Sequence, residues 1–177
     1  MIKTNKFQLL IFIILSLIFI CSLFYYYFLL PDIVASHFNL SGEANGWTSK
    51  ESFLIIMLFI FLIFSGIIFL SLYLIPKMPQ SMISIPNKEF YLSNEHKEET
   101  FKIINSFMLL ICNLTIILLI IGNFFVFNIN LGTLKKLPVF FDYAVILYVL
   151  SLLVIILRIY FKFRKIPQYT SNSNLRG

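Results

Sequence analysis

The chain has 177 residues, 59% of them hydrophobic and 12% charged, with a formal net charge of +6 and a mean hydropathy of +0.91. A soluble domain carries about 25% charged residues, so this composition leaves too little polar surface to cover a water-soluble globule. The positive balance does not signal nucleic acid, because the Lys and Arg residues sit at the ends of apolar runs rather than across a phosphate-binding face.

A helix needs roughly 20 apolar residues to cross a hydrocarbon core of about 30 Å, and unpaired backbone groups are not tolerated there. Four runs meet that length, over about 7–30, 53–75, 103–127 and 139–161. The first follows Lys3 and Lys6 and precedes the small residues Val34-Ala35-Ser36, as a signal peptide would. A signal h-region spans only about 7–15 residues. This run is longer and is followed at once by Pro31-Asp32, so an uncleaved first helix is expected.

The loop over 31–52 is dense in special residues. Pro31 ends the first helix, Gly42 and Gly46 mark turns, and Ser49 is placed to cap the second helix. Asp32, His37, Asn39 and Glu43 are candidates to converge on a cation or polar ligand. One His with no second His or Cys is not a zinc pattern, so no metal is expected. The competing expectation is a turn network in which His37 and Asn39 satisfy backbone groups over the helix ends. Phe38 and Trp47 suit the membrane interface.

The loop over 76–102 turns at Ile85-Pro86-Asn87. Ser93 is a plausible N-cap, with Glu95, Glu98 and Glu99 in the following turns. The third helix is therefore expected to begin before the apolar run. Along that run Asn105, Asn113, Thr115 and Asn123 are expected to join helices, not to form a continuous polar path. None of the runs is broken by an internal Pro, which weighs against a transporter with unwound helices. Asp142 follows Leu137-Pro138 and reads as an acid in the first turn of the last helix, with Lys135 and Lys136 near it in sequence. Cys21 and Cys112 both lie inside apolar runs and read as small packed residues.

Orientation follows from the basic residues. Lys3, Lys6, Lys77, Lys88, Lys97, Lys102, Arg158, Lys162, Arg164, Lys165 and Arg176 fall on one side, and only Lys50, Lys135 and Lys136 on the other. The positive-inside rule then places loop 31–52 outside and loop 76–102 in the cytoplasm. The expected fold is all-α: one domain over 1–177, an integral membrane four-helix bundle with cytoplasmic N- and C-termini.

Two segments carry a family resemblance. PDIVASHFNLSGEANGWTSK, from Pro31 to Lys50, and IPNKEFYLSNEHKEE, from Ile85 to Glu99, resemble a family of bacterial membrane proteins of unknown function. Its domain also forms the N-terminal part of SdpI-like immunity proteins, which protect producer cells from a secreted killing peptide. The shared pattern runs through Pro31, His37, Phe38, Asn39, Gly42 and Lys50, then through Pro86, Asn87, Lys88 and Tyr91. Ala35 and Asn45 stand where the family usually has Pro and Asp. The protein is expected to be non-enzymatic, in the cell membrane and without a cofactor; a membrane enzyme that holds a metal with Asp32, His37 and Glu43 is a further reading. The protein's partners would be the bilayer and either a secreted peptide or another membrane protein. A small transporter, or an accessory subunit of one, is the alternative.

Overall fold

The computed structural model describes residues 5–166. Lys3 and Arg176, two of the orienting basic residues, lie outside the described residues. Helix α1 (Lys6–Tyr27) leads into an antiparallel hairpin of β1 (Ile33–Phe38) and β2 (Ala44–Ser49). Helix α2 (Lys50–Leu74) follows, then two short 3₁₀ turns, a one-turn helix α3 (Lys88–Tyr91), and the long helices α4 (Lys97–Asn130) and α5 (Val139–Arg164). Four segments, Lys6–Tyr27, Lys50–Lys77, Lys97–Asn130 and Val139–Arg164, are long and apolar enough to cross a membrane.

The helix ends have local causes. Asn5 Oδ1 accepts the Phe7 N–H at 3.1 Å and starts α1. Ser49 Oγ accepts the Ser52 N–H at 3.2 Å, so α2 starts at Lys50, before the apolar run. Pro138 precedes α5, and Asp142 lies in its first turn. Ser93 does not cap α4 with its side chain. Its carbonyl instead accepts the N–H groups of His96 and Lys97 at 3.1 and 2.9 Å, closing a turn that delays the helix to Lys97.

The all-α expectation needs one correction, since the structure is mostly helical but holds a two-stranded sheet. Ile33 and Val34 face Ser49 and Thr48, and Phe38 faces Ala44 across a loop of residues 39–43. That is a hairpin built on β-branched residues at its open end with turn formers at its tip.

The bundle is organised around α4, the most buried of the four long helices, while α5 is the least buried. Leu109, Cys112, Ile116, Asn123 and Phe127 lie three, four or seven residues apart and turn inward on α4. Phe19 of α1 stacks on Phe61 of α2 at 5.0 Å. At the hairpin end Tyr26 stacks on Phe127 at 4.3 Å, and Phe53 meets the same ring edge-on at 6.1 Å. Val34 of β1 is fully buried in this cluster, so the sheet is rooted in the helical core. Outside it, α1, α2 and α5 present rows of exposed Leu, Ile and Phe, a surface matched to lipid rather than water.

Candidate functional site

The hairpin is held from three directions. At its tip Asn39 Oδ1 accepts the N–H groups of Ser41 and Glu43 at 2.9 and 3.0 Å. The Asn39 N–H in turn donates to the Glu43 carbonyl at 2.9 Å. An Asn that takes over backbone donors in this way makes a turn of its own. Gly42 follows with φ +77°, and its carbonyl accepts the Leu137 N–H at 2.8 Å. A Cβ at Gly42 would fall 2.6 Å from the Leu137 carbonyl oxygen, so only glycine allows this approach. The tip is thereby fastened to the loop between α4 and α5.

At mid-strand the Asn130 side chain pairs with the backbone of Ala35. Its Oδ1 accepts the Ala35 N–H at 2.6 Å, and its Nδ2 donates to the Ala35 carbonyl at 3.0 Å. The amide stands where a third strand would, satisfying the edge of β1. At the open end Lys50 Nζ lies 2.9 Å from Asp32 Oδ1 and 5.5 Å above the Tyr27 ring. The Lys50 N–H also donates to the Asp32 carbonyl at 3.0 Å.

The four polar candidates of this loop are not brought together. Asp32 is engaged with Lys50, Asn39 with the turn, and His37 Nδ1 with Asn45 Oδ1 at 2.6 Å. Glu43 is exposed beside the turn. Among the described residues no three His, Cys, Asp or Glu side chains gather as a metal site. Pro31 is exposed between α1 and β1, and Phe38 is half-buried at the end of β1. Within the hairpin the most exposed apolar side chains are Leu40, Trp47 and Ile33.

At the opposite end the segment around Asn87 closes over α5. Asn87 takes the left-handed conformation (φ 50°). Its Nδ2 donates to the carbonyls of Phe163 and Arg164 at 3.0 and 2.8 Å. Tyr91 Oη donates to the Lys162 carbonyl at 3.1 Å and also contacts the Lys165 carbonyl. These are carbonyls that a helix end leaves without partners. Thr100 Oγ1 donates to the Tyr91 carbonyl at 2.8 Å, which ties the same turn to α4. Pro86 is half-buried behind Asn87, and Lys88 is exposed.

Anchoring residues that escaped the sequence reading include Asn130, Leu137, Thr100 and Gln8. Gln8 accepts from Ser106 Oγ through its side chain at 2.8 Å and from Asn113 Nδ2 through its carbonyl at 3.1 Å, joining α1 to α4. An Asn closing a long apolar run was the available signal for Asn130. For Leu137 and Gln8 the sequence holds none.

A family model described as a domain of unknown function, DUF1648, matches residues 11–63. The match takes in most of α1, the whole hairpin and the first half of α2. No curated protein and no solved structure matches the chain.

Proposed function

We propose that this chain is a multi-pass protein of the cell membrane with cytoplasmic termini, and that its outer hairpin is a non-enzymatic recognition surface for a secreted antimicrobial peptide. The reading covers immunity and sensing alike. The observation that carries it is the fastening of the hairpin by Asn130, Gly42 and Asn39 while Leu40 and Trp47 remain exposed. A surface fixed before binding does not lose ordering entropy on binding. Exposed aromatic and apolar side chains on such a surface suit peptide recognition. The charge bias supports the orientation. The resemblance of the matched domain to the N-terminal part of SdpI-like immunity proteins supports the ligand class.

A second reading, a small transporter or accessory subunit, draws on Asn105, Asn113 and Asn123. All three are buried on α4, each with one amide atom lacking a partner.

A survival assay tests the first reading. A sensitive bacterium expressing the chain is challenged with secreted peptides of related strains, alongside Trp47→Ala and His37→Ala. Protection by wild type that is lost in variants still inserted in the membrane is the expected result. Equal protection by wild type and both variants would remove the hairpin from the reading.

A further inference from the structure

A cavity of about 310 Å³ lies between α2, α4 and α5. That is the lower end of the roughly 300–1,000 Å³ found for small-molecule sites. Phe64 and Ile67 of α2 line it and are themselves exposed on the apolar outer surface, so it opens sideways between helices. No charged residue lines it.

Its polar groups are few and incompletely used. Thr115 Oγ1 donates to the Ile111 carbonyl at 2.9 Å. With that proton committed, the Tyr148 hydroxyl, also 2.9 Å from Thr115 Oγ1, must be the donor of their shared bond. Tyr148 then keeps free acceptor capacity. Ser65 lines the cavity from α2, is 8% exposed, and its Oγ has no oxygen or nitrogen partner, only the weakly hydrogen-bonding Cys112 thiol beside it. A buried hydroxyl with only a thiol for a partner recovers little of its desolvation cost. Ser65 also lies roughly 22 Å along the helix from Lys50 and roughly 14 Å from Leu74, at 1.5 Å per residue. At that depth a charged lipid headgroup does not reach it.

We infer that this cleft binds a neutral, membrane-dissolved molecule with an apolar body and one hydroxyl or carbonyl oxygen, which accepts a hydrogen bond from Ser65. The uncharged lining excludes an ionic ligand. The sideways mouth admits the molecule from the lipid phase. The Ser65 hydroxyl, which lacks an oxygen or nitrogen partner, separates this occupant from a plain acyl chain.

The test is photo-crosslinking of the full chain in lipid nanodiscs with a diazirine-bearing long-chain alcohol, read by peptide mass spectrometry. Crosslinks should map to the segments around Ser65, Thr115 and Tyr148. Dodecanol should compete about five-fold better than dodecane, the difference expected of one hydrogen bond. Ser65→Ala should remove that preference, and Leu152→Trp, which fills the cleft, should remove the crosslinks. Equal competition by dodecane would reduce the cleft to acyl-chain packing and overturn the inference. So would crosslinks spread evenly over the apolar surface, or a chain-to-chain product showing that a second helix fills the groove. The competition experiment needs wild type alone, so a misfolded variant does not blunt it.

Discussion

The Asn130 side chain holds both backbone groups of Ala35, accepting its N–H at 2.6 Å and donating to its carbonyl at 3.0 Å across 95 residues of sequence. Ala35 is buried, so water does not readily replace this partner. Asn130→Ala should leave two buried backbone groups unpaired and loosen the hairpin from α4 by about 1–3 kcal/mol. Amide hydrogen exchange at Ala35 should accelerate accordingly, while exchange in the middle of α4 should not. Asn130→Asp keeps an acceptor for the N–H but places an anionic oxygen against the carbonyl, so it should not restore wild-type protection.

Gly42 and Gly132 form a matched pair for substitution. Both have positive φ, at 77° and 75°, but a Cβ at Gly42 meets Leu137 while one at Gly132 meets nothing within 4 Å. Gly132→Ala should cost only the left-handed backbone term, about 1–2 kcal/mol. Gly42→Ala should add the cost of overpacking, about 1–3 kcal/mol more, and free the tip from the α4–α5 loop. Thermal unfolding in detergent micelles with limited proteolysis at residues 39–43 separates the two. Equal stabilities would show that the tip is not held by Leu137.

Asn87 combines a left-handed backbone with two hydrogen bonds to the end of α5. Asn87→Gly should keep the backbone and lose only the bonds, about 1 kcal/mol each. Asn87→Ala should lose the bonds and add strain. Tyr91→Phe should remove the second cap while leaving the ring contact with Phe163, whose centroid lies 4.9 Å away. In each case the last turn of α5 should exchange faster, with Asn87→Ala the most affected. Unchanged exchange at 162–165 would mean that α5 ends independently of this segment.

The proposed orientation has a direct check. In a background with Cys21→Ser and Cys112→Ser, Ser41→Cys and Ser84→Cys should react with a membrane-impermeant maleimide from opposite sides. Ser41→Cys should label in intact cells, and Ser84→Cys only after the cells are opened. Labelling of both in intact cells would reject the charge-based topology.

Long-range pairing explains what was not legible in the chain. The four apolar helices were visible because a run of apolar residues is itself the physical requirement for a lipid-facing helix. Ser49 as a cap was visible because capping is local, reaching only to Ser52. The hairpin was hidden because β2 reads Ala-Asn-Gly-Trp-Thr-Ser, with little strand preference of its own. Its place depends on partners far away, Asn130 and Leu137. The same holds for the inner segment, where Pro86-Asn87 announced a turn but not the Phe163 and Arg164 carbonyls that the turn covers.

The sequence by itself determined the number of long helices, their approximate limits and the asymmetry of charge, since each depends on composition within one segment. Only the tertiary structure decided that Asp32, His37, Asn39 and Glu43 are distributed along a hairpin rather than gathered at one point. It also decided that α4 is the central helix and that Ser65, Thr115 and Tyr148 share one cleft. Those outcomes depend on which helix faces which, and in an apolar chain many faces are alike. The choice falls to a few polar contacts and close packings between residues remote in sequence.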